Sequence, residues 1–135
     1  ADELAARYEG QGIAKVIGIE SRGFILGGTL AARLGAGFVP VRKPGKLPAD
    51  IFEVEYNLEY GSSVLAIHRD AVAAGERVLI VDDLLATGGT AAATVDLVRQ
   101  LGGEIAGLDF LIELKGLKGR DRLTGYNVHS MIIYP

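Results

Sequence analysis

The sequence predicts an α/β fold, a largely parallel central sheet with helices packed on its faces. Short apolar runs rich in Val and Ile recur along the chain, and stretches with helical spacing separate them, the pattern of right-handed βαβ units. Glycine adds a second signal: 19 of 135 residues is about twice the ordinary share, and such an excess means tight turns or close backbone approaches.

From Asp2 to Gln11 the apolar residues Leu4, Ala5 and Tyr8 share a helical face, and Gly10 suits the end of that helix. Lys15–Ile19 reads as a buried strand, Glu20–Gly23 as a polar turn, and Phe24–Leu34 as a helix stopped by Gly35. Phe38–Val41 is a second short strand, closed by the basic turn Arg42–Lys46. Between Ile51 and Ile67 two β-rich segments flank Glu59-Tyr60-Gly61-Ser62, which predicts an extended, hairpin-like excursion. Arg77–Val81 is the clearest buried strand. A glycine-rich turn follows, then a helix over Thr90–Leu101 ended by Gly102-Gly103, a strand over Ile105–Leu114 and a last strand over Val128–Tyr134. With no repeat, linker or low-complexity segment, residues 1–135 are expected to form one domain.

Composition narrows the function. Hydrophobic residues at 49% and charged residues at 23% sit near globular averages, which excludes wholesale disorder, collagen and coiled coil. The apolar run without a charge from Gly23 to Ala32 is far short of the ~20 residues a membrane span needs, so no membrane partner is expected. No basic-then-apolar segment opens the chain, which leads us to expect a cytoplasmic protein. The absence of cysteine removes disulfides, thiolate metal sites and cysteine nucleophiles, and two histidines leave zinc hydrolysis without ligands. A net charge of −3 argues against nucleic acid as a partner. Any anion site must come from local clustering.

In open parallel sheets, ligands bind at the carboxyl ends of the strands. The strongest candidate there is the run of 13 residues from Val78 to Thr90. Apolar residues bury a strand, Asp82 and Asp83 emerge at its end, and the small residues Ala86, Thr87, Gly88, Gly89 and Thr90 open onto a helix. Such a loop offers backbone N–H groups and the positive end of a helix to a phosphate, with Thr87 and Thr90 as hydroxyl donors. No Lys follows the glycines, so this is not a Walker A loop, and the spacing is not G-x-G-x-x-G. A carboxylate pair beside a phosphate cradle suits sugar hydroxyls or a magnesium-bound sugar. A phosphorylated ribose is the ligand inferred. Arg42, Lys43 and Lys46 place three of 14 basic residues within five positions, stiffened by Pro44 and Pro48, which suggests a polyanion.

The Val78–Thr90 run resembles the phosphoribosyl-pyrophosphate motif of type I phosphoribosyltransferases. Glu20-Ser21-Arg22-Gly23-Phe24, Arg42 to Pro48 and Leu58-Glu59-Tyr60-Gly61 are similar, in order and spacing, to the adenine branch of that family, and the likeness runs from about Val16 to the C-terminus. The resemblance implies the type I phosphoribosyltransferase fold, with a flexible β-rich catalytic loop over about Asp50–His68 that closes over the site. It implies the reaction of adenine with phosphoribosyl pyrophosphate to give AMP and pyrophosphate, with Mg²⁺ required mainly through the substrate, and a homodimer. In these terms Ala86–Thr90 would cradle the 5′-phosphate, and Asp82 and Asp83 would face the ribose hydroxyls. Glu20, Ser21, Arg22 and Gly23 would form the pyrophosphate loop, with Arg22 on the departing diphosphate and a cis peptide at Glu20-Ser21. Arg42, Lys43 and Lys46 would help hold pyrophosphate. Glu59 would act as general acid/base over the purine, with Tyr60 covering the substrate.

His68 and His129 match no role in the family and are expected to be structural. Ala66 stands where many relatives carry Glu. Family members also carry an N-terminal segment that reads the adenine edge. Ala1 lies close to the helix that follows that segment, so this chain is expected to hold the core without that base clamp. Two alternatives therefore stand beside adenine transfer: the same chemistry with another or relaxed purine choice, or a module that binds phosphoribosyl pyrophosphate without turnover.

Overall fold

The computed structural model describes residues 2–43, 45, 47, 51–58 and 61–135, with the backbone alone for 56–58 and 61–63. Among these, α1 spans Asp2–Tyr8, β1 Ile13–Ile19, α2 Arg22–Leu34, β2 Gly37–Val41, β3 Ile51–Leu58 and β4 Gly61–His68. Then come β5 (Arg77–Leu85), α3 (Gly89–Gln100), β6 (Glu104–Leu114), two 3₁₀ turns over Lys115–Leu117 and Gly119–Leu123, and β7 (Val128–Tyr134). Five strands form one sheet in the order β2-β1-β5-β6-β7, and every pairing in it is parallel. β3 and β4 form a separate antiparallel hairpin, paired from Ile51 with His68 to Leu58 with Gly61.

The apolar runs are continuous because both faces of the sheet are covered. Alternate side chains go to opposite layers. Leu79 and Val81 of β5 join Val16, Leu30 of α2 and Leu4, Ala5 and Tyr8 of α1 on one face. Val78 and Ile80 join Ile17, Ile19, Leu97, Val98, Leu108 and Phe110 on the other, where α3 packs, as do Leu65 and Ile67 of the hairpin.

Strand order locates the site. β1 leads through α2 to β2, whereas its neighbour β5 leads through α3 to β6 on the other side. Two adjacent strands whose connections depart in opposite directions leave a crevice at their carboxyl ends. The turns after β1 and β5, both singled out in the sequence, flank that crevice.

Several boundaries differ from the sequence reading. α2 begins at Arg22 rather than Phe24, so the polar turn shrinks to Glu20 and Ser21. β5 runs on through both aspartates to Leu85, with Asp82 in register with Phe110 and Leu85 with Glu113. Pairing with the long β6 keeps these residues extended where their polarity suggested that the strand had stopped. The 3₁₀ turns carried no pattern that marked them.

His129 lies on the sheet, its Nδ1 2.5 Å from Oδ1 of the fully buried Asp109. Nearby, burial and then the Asp109 carboxyl hold the Tyr8 hydroxyl well above its ordinary range. His68 closes β4.

Candidate active site

At the end of β1 the Glu20-Ser21 peptide bond is cis. Ser21 is the residue before α2, and its carbonyl accepts the Phe24 N–H at 3.1 Å. Gly23, buried in the first helical turn, leaves little space for a side chain: a Cβ there would sit 3.1 Å from the Val81 carbonyl oxygen and 3.2 Å from Asp82 Oδ1. The missing side chain brings the start of α2 against the end of β5.

Glu20 turns toward the basic turn. Its Oε1 accepts hydrogen bonds from Arg42 Nε at 3.3 Å and from the Lys43 backbone N–H at 3.1 Å. The Arg42 guanidinium also lies 5.6 Å from the Phe24 ring centre, within cation–π range. Arg42 and Lys43 are thereby tied to the β1 turn although they follow β2.

Across the crevice, Asp83 Oδ2 takes an ion pair from Arg22 Nε at 2.9 Å, and Asp82 Oδ1 accepts the Asp83 N–H at 2.8 Å. Burial pushes the Asp82 carboxyl up to about 7, helped by the adjacent Asp83 and opposed by the Asp83 amide and by Arg22. The two aspartates therefore differ: Asp82 is set inward and readily protonated, and Asp83 is paired with a cation.

Beyond Leu85 the chain turns through Ala86, Thr87 and Gly88 into α3. Gly88 has φ +85°, a conformation that glycine takes without steric cost. Its carbonyl accepts the Ala92 N–H at 2.9 Å, the start of the helical ladder. The N–H groups before that point have no partner within the helix and face the crevice end with its partial positive charge. Thr94 donates its hydroxyl to the Thr90 carbonyl at 2.9 Å, and Thr90 itself borders the crevice.

Two adjoining cavities result. One, of about 190 Å³, is lined by Arg22, residues 82–91 and Phe110. The other, of about 440 Å³, is lined by Ile19, Glu20, Ser21, Arg22, Lys43, Leu65, Asp82, Asp83 and Thr90. Arg22, Asp82, Asp83 and Thr90 line both. One ligand can thus place an anionic group at the α3 loop, a second at the β1 turn, and hydroxyls over the aspartates between them.

The structure brings together Glu20, Ser21, Arg22, Lys43, Asp82, Asp83 and Ala86–Thr90 of the residues read from the sequence, with Gly23 beneath them. Arg42 lines neither cavity and is held by Glu20 and Phe24. Lys46, Glu59, Tyr60 and the two prolines Pro44 and Pro48 lie outside the described residues. Phe110 and Leu65 line the cavities without having been expected there. Each sits inside an apolar strand run, where sequence cannot separate a lining residue from core. Among the described residues no three His, Asp or Glu side chains converge as a metal site, and no helix is long and apolar enough to cross a membrane.

Residues 1–133 match the model of the phosphoribosyl transferase domain. The chain is 62% identical to the adenine phosphoribosyltransferase of Acidobacterium capsulatum over 98% of its own length and 74% of that protein's. Its structure is similar to the crystal structure of adenine phosphoribosyltransferase from Thermoanaerobacter pseudethanolicus, with a TM-score of 0.95, 53% identity, and coverage of 98% of this chain and 77% of that one. It is also similar to the adenine phosphoribosyl transferase of Trypanosoma brucei, solved in complex with AMP, pyrophosphate and ribose-5-phosphate, at a TM-score of 0.91, 29% identity, and coverage of 98% and 62%.

Proposed function

The chain belongs to the phosphoribosyl transferase domain family, and from that premise we propose that it transfers the 5-phosphoribosyl group of phosphoribosyl pyrophosphate to adenine, giving AMP and pyrophosphate. The relatives that match nearly its whole length are adenine phosphoribosyltransferases, and the reaction belongs to purine salvage. The observation that carries the assignment to this chain's own residues is the pair of cavities joined at Asp82 and Asp83. It suits a ribose with phosphate on one end and diphosphate on the other.

In the reaction the bond from ribose C1 to the diphosphate oxygen breaks, and a ring nitrogen of adenine bonds to C1 and gives up its proton. Ala86–Thr90 hold the 5′-phosphate by backbone N–H groups and the Thr87 and Thr90 hydroxyls. Asp82 and Asp83 orient the ribose hydroxyls. Arg22 exchanges Asp83 for the diphosphate and stabilises the charge that collects on it as C1–O lengthens. The Glu20–Gly23 turn, with Lys43, Arg42 and Lys46, completes the diphosphate side, Arg42 being braced by Glu20. Glu59 manages the proton of adenine as general acid/base, and the hairpin that carries it closes over the substrate with Tyr60, excluding water.

Two adjacent carboxylates, with no third ligand among the described residues, suit Mg²⁺ carried on the substrate, since that ion keeps several waters and prefers phosphate oxygens with one or two carboxylates. Bound there beside Asp82 and Asp83, it would supply positive charge to the diphosphate. We read residues 1–135 as one phosphoribosyltransferase core, cytoplasmic and homodimeric.

Glu59→Ala tests the chemical step. Turnover is expected to fall by roughly 10²–10⁴-fold, while the dissociation constant for phosphoribosyl pyrophosphate stays nearly unchanged. Unaltered turnover would remove Glu59 from the mechanism.

A further inference from the structure

The back of the phosphate loop is built as carefully as its front. Glu113, next to last in β6, is in register with Leu85, the last residue of β5. It is 3% exposed, yet its carboxylate is fully engaged: Arg120 Nε lies 2.9 Å from both oxygens and Ser130 Oγ donates to Oε1 at 2.8 Å. Arg120 also donates from Nη1 to the Val128 carbonyl at 2.9 Å. A buried carboxylate is tolerated only with such partners. The pair fixes the second 3₁₀ turn, whose far end is anchored by the buried Leu123.

What that turn holds is Gly119. A Cβ on Gly119 would sit 2.5 Å from the Ala86 carbonyl oxygen and 2.8 Å from Leu85 Cδ1. A Cβ on Gly88 would sit 2.5 Å from the Gly119 carbonyl oxygen. The loop and the turn therefore meet backbone to backbone, with glycine on both sides of the contact.

We infer that Glu113, Arg120 and Gly119 are positioning residues for the phosphoryl site: the ion pair clamps the Gly119 backbone behind Ala86–Gly88 and fixes the direction of the loop N–H groups before a ligand arrives. The inference rests on the reading of Ala86–Thr90 as the phosphate cradle. It assigns a task to an ion pair between a buried carboxylate and an exposed arginine, neither of which lines the crevice. Electrostatic preorganisation of this kind acts through fixed dipoles, and small displacements are costly.

The test is calorimetric binding of ribose 5-phosphate and of adenine to the parent chain and to variants. Gly119→Ala, which drives a methyl into the Ala86 carbonyl, is expected to weaken ribose 5-phosphate by ~10-fold or more. Arg120→Lys, which loses the guanidinium that bonds Glu113 through Nε and the Val128 carbonyl through Nη1, is expected to weaken it by roughly 3–10-fold. Adenine affinity stays within about twofold in both, a split that general destabilisation does not produce. Leu4→Ala, a core truncation in α1 remote from the loop, controls for stability and leaves both affinities unchanged. Should Gly119→Ala fail to fold, Ser130→Ala removes one hydrogen bond from Glu113 and gives the same split at about two- to threefold. Thr87→Ala separates the two levels. If it weakens ribose 5-phosphate while the folded Arg120, Gly119 or Ser130 variants bind as the parent does, the positioning role is overturned and the cradle stands. If Thr87→Ala also binds as the parent does, the cradle itself is misassigned.

Discussion

Arg22 is the residue whose surroundings change most during the proposed cycle. Its guanidinium is largely exposed and rests on Asp83 at 2.9 Å, a pair whose worth at such exposure is small, about 0–1 kcal/mol. Diphosphate can displace it at little cost. Arg22→Ala is therefore expected to weaken pyrophosphate and phosphoribosyl pyrophosphate by ~10-fold or more and AMP far less, measured as three dissociation constants. Equal losses for all three would contradict the leaving-group role. Asp82 offers a second handle. Its carboxyl is raised from an ordinary 3.8 to about 7, first by burial, so between those values the folded chain holds a proton that the unfolded chain has released. Stability from this group is full below 3.8 and is lost as pH rises through about 7, with a slope of at most ~1.4 kcal/mol per pH unit. Urea unfolding at about pH 5 and about pH 8 should show Asp82→Asn losing less stability than the parent over that interval. Identical losses would mean that Asp82 titrates as an ordinary carboxylate.

Elements differ in how far their sequence announced them. β5 and the phosphate loop were legible because a buried strand, paired carboxylates and two glycines in succession have few structural uses together. The end of β5 was not, because Asp82 and Asp83 look like a turn until β6 is known to run alongside to Leu114. Gly119 gave no signal at all. Glycine in a polar stretch is ordinary, and its task depends on a contact with Ala86 and Gly88, more than 30 residues away in sequence. The same holds for Phe110 and Leu65, which pack in the core and also form cavity walls. Glycines of equal φ need not matter equally. Gly125 (φ +91°) has nothing within 4 Å of a built Cβ, whereas Gly88 (φ +85°) meets the Gly119 carbonyl. Gly125→Ala is expected to cost about 1 kcal/mol and leave ribose 5-phosphate binding intact. Gly88→Ala should cost more and lose that binding, which thermal melts and calorimetry together can check. Similar behaviour of the two would show that conformation alone governs the loop.

For the whole molecule, strand order is the feature that turns separate motifs into one site. The order β2-β1-β5-β6-β7 sets the β1 turn beside the α3 loop and leaves the crevice between them. Sequence announced alternating strands and helices but not their order, since apolar runs buried on both faces all look alike. Three of the four motifs named in the sequence converge on that crevice through Arg22, Lys43 and the Asp82–Thr90 run. The most direct test of the resulting account is AMP formation from adenine and phosphoribosyl pyrophosphate with Mg²⁺, run beside hypoxanthine, guanine and a chelator control. Adenine-selective AMP formation that stops when the metal is chelated is the predicted result. A folded protein that yields no AMP, or that uses the three purines equally, contradicts it.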